Sequence, residues 1–343
     1  MGIVRIAGAA VAHPPLRIGQ AEAARHIGAF VEDQRRVAAL ARGTRIASRA
    51  IALPAEELAA LGGIEERNGV YHRIAPALAR AATEAVLPPG NRRALAFLAT
   101  SSCTGYTVPG WAVDLVEDLS LPYDTVRLPI TEAGCAGGVV ALSRAADYLR
   151  GREGKAALAV AVEVCSLAFH PGGGDGNVTA SLIFGDGAGA ARLETGGGPG
   201  LEVVDTLTHL IPGTKALLGF DLTDRGFYPV LARELVDALP AATERAVSLL
   251  LGRNGLCAGE IGAWLLHPGG ARILAGLERA LGLRRERTRW SWDSMREFGN
   301  TSSAGIFDVL RRYIEEGGPP GRWAVICAFG PGVSVELMLV RSC

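Results

Sequence analysis

Short apolar runs alternate along this chain with longer stretches in which apolar residues recur every three or four positions. Runs of strand character span Arg93–Leu98, Ala156–Val164, Gly189–Leu193, Glu260–Leu266, Trp323–Ala328 and Val333–Val340. Helical periodicity covers Val37–Ala41, Ala75–Val86, Gly110–Leu119, Val139–Tyr148, Ala242–Leu251, Ala271–Leu281 and Ala304–Ile314. Strands that alternate with helices predict an α/β protein built of packed layers. The pattern also echoes itself. A helix followed by the strands Ala156–Val164 and Gly187–Leu193 is matched later by Trp323–Ala328 and Val333–Val340 around Gly330-Pro331-Gly332. Between the two sets lies Thr195-Gly196-Gly197-Gly198-Pro199-Gly200, which reads as a connection. It divides the chain into halves 1–196 and 197–343.

Composition narrows the class. A chain of 343 residues with 49% hydrophobic content can bury a large core and is not of disordered type. Formal net charge is zero, which gives no electrostatic reason to expect a nucleic-acid partner. The six cysteines contain no CxxC pair, so neither a zinc site nor a disulfide framework is expected. Met1-Gly2-Ile3-Val4-Arg5-Ile6 lacks the basic segment and long apolar core of a signal peptide. No apolar run has the length of a membrane span. A cytoplasmic enzyme is the expectation.

Three segments carry candidate chemistry. In Gly134-Cys135-Ala136-Gly137-Gly138 a cysteine precedes a helical pattern, where the helix dipole and free N–H groups favour a thiolate. Flanking glycines let backbone and substrate approach the sulfur. In His267-Pro268-Gly269-Gly270 a histidine ends an apolar strand and a turn follows. In Phe298-Gly299-Asn300-Thr301-Ser302-Ser303 an asparagine precedes a helix. Each alone has a plain structural explanation: a buried thiol, a core histidine, a helix cap. Together Cys, His and Asn form a set for thiol-based acyl chemistry.

The order and spacing of these three segments resemble the type III polyketide synthases, the chalcone synthase-like enzymes, and specifically their bacterial members. Phe329-Gly330-Pro331-Gly332-Val333-Ser334-Val335-Glu336 resembles their C-terminal glycine-proline loop, and Phe184-Gly185-Asp186-Gly187-Ala188 their internal turn. Ala12-His13-Pro14-Pro15 with Gln20 resembles their start. The resemblance covers the whole chain. It implies a thiolase fold, two halves stacked as duplicated αβαβα layers. The first half carries the nucleophilic cysteine, the second the His and Asn.

The resemblance also implies the reaction. Cys135 takes an acyl group from an acyl-CoA starter, and an imidazolium at His267 with the helix N-terminus would lower its thiol pKa. Malonyl-CoA then loses CO2, and His267 and Asn300 stabilise the enolate. The enolate carbon attacks the acyl-Cys135 carbonyl. Repeated extension and cyclisation give a pyrone, resorcinol or other polyhydroxylated aromatic. No metal or redox cofactor is expected; CoA thioesters are the substrates. Phe227 matches a gatekeeper phenylalanine, and the second gatekeeper aligns near Leu201. Cys103, Thr104, Cys165, Ala168 and Ser302 match cavity positions. Val108 matches a residue inserted into the partner's cavity, which implies a homodimer. Arg36, Arg42 and Arg45 lie in the region that binds CoA phosphates.

Rival readings are distinguishable. A ketoacyl-carrier-protein synthase III shares the fold and the triad, but usually has Gln-Ala-Asn after its histidine, where this chain has Pro268-Gly269-Gly270. A hydroxymethylglutaryl-CoA synthase needs an acidic partner. A papain-like protease has a tryptophan after its cysteine motif, which is absent. A catalytically silent thiolase-fold partner protein would have an unreactive Cys135.

Overall fold

The computed structural model describes residues 2–172 and 174–343. The first half of the chain forms β1 (Val4–Ala12), β2 (Arg17–Gly19), α1 (Gln20–Gly28), α2 (Gln34–Gly43), β3 (Ser48–Ala50), α3 (Ala55–Ala60) and α4 (Ile64–Val86). It continues with β4 (Leu95–Ser101), α5 (Ala112–Asp118), β5 (Val126–Ile130), α6 (Gly137–Leu149), β6 (Ala156–Val164), α7 (Asp175–Ile183) and β7 (Asp186–Thr195). The second half forms β8 (Leu201–Leu210), β9 (Leu218–Thr223), β10 (Gly226–Leu231), α8 (Leu235–Arg253) and β11 (Ile261–Leu266). It ends with α9 (Ala271–Ala280), α10 (Arg289–Phe298), α11 (Gly305–Glu316), β12 (Trp323–Gly330) and β13 (Ser334–Ser342).

Nine strands join in the order β11-β12-β13-β8-β1-β7-β6-β4-β5. The two halves of this ladder meet only where Arg5 and Ile6 pair with Glu202 and Leu201. On each side of that seam the pattern is the same. An antiparallel pair lies next to the seam (β1 with β7, β8 with β13), and a second antiparallel pair follows (β7 with β6, β13 with β12). A parallel neighbour comes next (β4 beside β6, β11 beside β12).

Side-chain alternation builds the layers. Along β6, Ala157, Ala159 and Ala161 face the central core, while Leu158, Val160 and Val162 face the outer one under α4. Along β12, Ala324, Ile326 and Ala328 face the same central core, while Val325, Cys327 and Phe329 face α8 and α9. The central core holds α6 and α11 between the two half-sheets. The small residues on the inner strand faces let these helices sit close to the sheet. The result is the duplicated αβαβα layering of the thiolase fold.

Several elements differ from their sequence reading. The helix expected over Ala75–Val86 starts at Ile64 and runs through Pro76. Its polar first half stays helical because Arg67, Val70 and Tyr71 are buried. Likewise α8 begins at Leu235 and runs through Pro240. The strand expected to start at Arg93 starts at Leu95, after a 3-10 turn. Strands β5, β8, β9 and β10 carry no long apolar run, and β1, whose run Ile6–Ala12 is mostly alanine and glycine, is a further strand not expected from the sequence. β8 is buried only at Leu201 and Val203 and is half-buried or exposed beyond, so Glu, Asp, Thr and His interrupt its hydrophobic signal.

Candidate active site

The site forms where the N-termini of the two central helices meet. A 3-10 turn, Gly134–Ala136, leads Cys135 into α6. Gly134 has φ +50, and a Cβ there would lie 2.6 Å from Cδ of Pro331. At Gly138 a Cβ would lie 2.3 Å from the carbonyl of Ser303. The glycines beside the cysteine thus permit close packing against the glycine-proline loop and against the start of α11.

His267 follows β11, its N–H donating to the carbonyl of Cys327 (2.7 Å). The residue is only 2% exposed, and neither ring nitrogen has a protein partner at good hydrogen-bond geometry. Buried polar atoms of this kind call for an explanation, and a ligand is one. Asn300 is clipped to the segment before β7. Its N–H donates to the Ile183 carbonyl (2.9 Å), and its own carbonyl accepts from Gly185 N–H (3.0 Å). Its side-chain Oδ1 accepts from Ser302 N–H (2.8 Å), which turns Nδ2 outward toward the Gly269 carbonyl (3.3 Å). The amide therefore presents a donor on the histidine side.

Burial dominates the electrostatics. It pushes the Cys135 thiol up to about 11, with Ser302 and Asn300 pulling it back and Glu163 adding to the rise. It pushes His267 down to about 4, with Asn300 acting in the opposite direction. This corrects the expectation of a thiol pKa lowered outright by the helix N-terminus: loss of water outweighs the dipole here. Burial thus favours the neutral form of each group.

Beneath the cysteine lies Glu163, fully buried near the end of β6. Its carboxylate accepts from Cys103 N–H (3.1 Å), Thr104 Oγ1 (2.8 Å), Ser302 Oγ (3.4 Å) and the Ser303 hydroxyl. The Cys103 thiol also reaches it (3.4 Å) and touches Ser302 Oγ (3.5 Å). Burial raises the Glu163 pKa against these donors. Sequence reasoning passed over Glu163, although a lone acid in the apolar run 156–164 was its signal.

Two cavities adjoin the site. The outer one, with about 300 Å³ of empty space, is lined by Cys135, Phe184, Leu218, Phe220, Pro229, Leu231 and Pro331, with Gly134 and Gly219. The inner one, on the other side of Phe184, also opens to solvent and has about 570 Å³ of empty space with that opening included; it is mostly apolar, and Cys165, Ala168, Phe184 and Ile51 are part of its wall. Phe184 borders both.

The remaining expected positions divide. Cys103 and Ser302 converge with Cys135 on Glu163. Thr104 joins them, its hydroxyl donating to the same carboxylate and accepting from Val164 N–H. Phe227 lines neither cavity. It sits on β10 with its ring edge-on to Phe220 at 6.1 Å. Leu201 is corrected too: it is buried in the central core, opposite Ile6, and lines neither cavity. The aromatic rings at Cys135 belong to Phe184 and Phe220. Phe184 was visible in the Phe-Gly-Asp-Gly motif, and Phe220 is carried by a hairpin the apolar pattern did not announce. Val108 is 77% exposed, ahead of Pro109. Arg36 pairs with Asp175 at the start of α7 (2.6 Å), where Arg233 also reaches (3.4 Å). Arg42 lines a groove between α1 and α2, and Arg45 lies over the Trp292 ring, so the three arginines do not form one cluster. Among the described residues no helix is long and apolar enough to cross a membrane, and no group of His, Cys, Asp and Glu is arranged to hold a metal.

Known proteins share this arrangement. The profile of the chalcone and stilbene synthases, C-terminal domain, matches residues 202–343, and that of 3-oxoacyl-[acyl-carrier-protein] synthase III matches 131–209. The chain is 34% identical over 305 residues to a 1,3,6,8-tetrahydroxynaphthalene synthase of Streptomyces peucetius, covering 86% of this chain and 81% of that one. It is 30% identical over 339 residues to a phloroglucinol synthase of Pseudomonas fluorescens, covering 95% and 96%. The crystal structure of the tetrahydroxynaphthalene synthase of Streptomyces coelicolor, a bacterial type III polyketide synthase, superposes with a TM-score of 0.93 at 29% identity, covering 100% of this chain and 99% of that one. With the fold, the three segments and these relatives in agreement, the chain belongs to the type III polyketide synthases and is an acyltransferase of that family.

Proposed function

We propose that Cys135 accepts an acyl group from an acyl-CoA starter and that the enzyme then condenses it repeatedly with malonyl-CoA. The observation that carries this reading is His267, whose two buried ring nitrogens lack partners beside the outward-turned Asn300 amide. A thioester oxygen set between them would receive two donors as it gains charge. In the first step, the Cys135 proton moves to His267, sulfur attacks the starter carbonyl, and CoA leaves as its thiol. Malonyl-CoA next loses CO2, and the electrons of the broken C–C bond form an enolate whose oxygen faces His267 and Asn300. The enolate carbon attacks the acyl carbonyl on Cys135. The C–S bond breaks, and the chain leaves two carbons longer on CoA. Electrons balance without an oxidant.

The likeness to a tetrahydroxynaphthalene synthase and a phloroglucinol synthase supports a polyhydroxylated aromatic product. A second reading, an aliphatic starter giving a pyrone or resorcinol, is favoured by the apolar inner cavity behind Phe184. Cys165 and Ala168 line that cavity and would limit chain length. Arg36, with Arg233, is the pair suited to the CoA phosphates. The exposed Val108 and the outer edge of β5 suit a homodimer that works in the cytoplasm. The halves 1–196 and 197–343 act as one unit, the first giving Cys135 and the second His267 and Asn300.

Product analysis by mass spectrometry tests the reading. Purified enzyme receives malonyl-CoA and a panel of acyl-CoA starters without carrier protein, beside Cys135→Ala. Polyketides from the wild type alone are expected. Condensation only with malonyl-carrier protein would assign the chain to ketoacyl synthase chemistry instead.

A further inference from the structure

Outside the reacting groups there is a second fully buried carboxylate, Asp186, the first residue of β7. Its two oxygens reach in different directions. Oδ1 accepts from Ser166 N–H (2.7 Å), while Oδ2 accepts from Ala52 N–H (2.7 Å) and from the Ser166 hydroxyl. Its backbone carbonyl meets Nδ1 of His13 (2.9 Å). The cation that offsets its charge is Arg49, itself 3% exposed, whose guanidinium donates to Gln20 Oε1 (3.0 Å) and to the Leu182 carbonyl.

These contacts join segments that line one space. Ser166 lies in the 3-10 turn Cys165–Ala168, which contributes to the lining of the inner cavity. Ala52 follows Ile51, which also lines it. Arg49 lines the cavity directly. Two residues before Asp186, Phe184 divides this cavity from the one at Cys135. None of these bonds touches Cys135, His267 or Asn300 side chains.

We propose that Asp186 is a positioning residue that holds the Cys165–Ala168 turn and the β3 end at a fixed separation, and so sets how long a chain the inner cavity admits before release. The inference rests on the condensation activity proposed above. A carboxylate is required because three donors face it. An amide of the same shape would put an NH2 group against one of them, donor to donor. Losing a charge-assisted bond of this kind is worth roughly a factor of ten or more in the equilibrium it supports. The turn would then relax independently of the reacting groups.

The test compares Asp186→Asn, Asp186→Glu and Ser166→Ala with wild type, supplied with malonyl-CoA and the best starter. Three quantities are read: the ratio of full-length to truncated product, the rate of Cys135 acylation by starter, and the melting temperature. The expected result for Asp186→Asn is a roughly tenfold shift in product ratio, with acylation changed less than about twofold. Ser166→Ala keeps the backbone bond and should shift the ratio the same way, but less. Asp186→Glu should restore part of the wild-type ratio. An unchanged ratio in folded Asp186→Asn overturns the inference, as does a parallel fall in acylation and all products. Should Asp186→Asn not fold, an unchanged ratio in Ser166→Ala overturns it and a shifted ratio supports it. A wild type that makes no polyketide overturns the underlying activity and this inference with it, and so is distinct from a wild type with products that Asp186 does not influence.

Discussion

The two central helices begin with the same turn put to different uses. Gly134–Ala136 leads into α6 at Gly137, and Ser302–Ala304 leads into α11 at Gly305. The first residue of each turn is left-handed, with φ +50 at Gly134 and +49 at Ser302. The second residue is Cys135 in one and Ser303 in the other. Cys135 is half-buried and borders the outer cavity, while Ser303 is fully buried and bonds Glu163. Glycine is required in the first turn because Pro331 leaves no room for a Cβ. Serine is accepted in the second because Asn300 Oδ1 holds its N–H and its hydroxyl reaches Glu163. A duplicated frame thus offers two helix starts at one place; one sets a cysteine thiol beside a cavity, and the other anchors the asparagine and the acid beneath it.

The largest expected effect removes the difference in nucleophile. Cys135→Ala should abolish polyketide formation by mass spectrometry while the protein remains folded by circular dichroism; residual product would move the nucleophile elsewhere. His267→Ala comes next. Burial is the main cause that pushes the Cys135 thiol up to about 11. Without the imidazole to take its proton, iodoacetamide labelling should rise only as pH climbs toward that value, whereas the wild type should label near neutral pH. Superimposable pH profiles would contradict proton sharing between the two.

A smaller pair of changes tests the turns themselves. Gly134→Ala meets Pro331 and a left-handed backbone, so it should cost at least about 1–2 kcal/mol in denaturant unfolding. Ser302→Gly relieves the same backbone cost but gives up the hydroxyl, so its stability change should stay within about 1 kcal/mol. Equal losses would mean that the two turns are held alike. The smallest effect is expected at the outer surface. Arg36→Ala should raise the KM for acyl-CoA about two- to fivefold, the scale of an exposed ion pair, with kcat unchanged and the difference fading in high salt.

The reach of the sequence differs between the two halves of this comparison. The turn at Cys135 was readable because it comes with the His267 and Asn300 segments, the three together pointing to chemistry that none carries alone. The strands of the duplicated hairpins were readable because burial on both faces leaves uninterrupted apolar runs at 156–162 and 323–328. Contacts across the chain were less visible. Glu163 serves residues about 60 and 140 positions away, and no local spacing announces such partners. Leu201, placed by resemblance near a gatekeeper position, is core. Phe220 rides on a β9–β10 hairpin whose exposed and half-buried residues give no periodic signal. The thiol pKa was misjudged because desolvation depends on the whole fold, while the helix start is a local feature.

Separating the two partial reactions tests the division of labour most directly. Cys135→Ala and Asn300→Ala would each be assayed for transfer of a labelled starter acyl group to protein and for decarboxylation of malonyl-CoA. The account predicts that Asn300→Ala still loads the acyl group but decarboxylates about 10²–10³-fold more slowly, the usual loss for one oxyanion donor. Cys135→Ala should decarboxylate but never load. Loss of both reactions in both folded variants, or the reverse assignment, would contradict it.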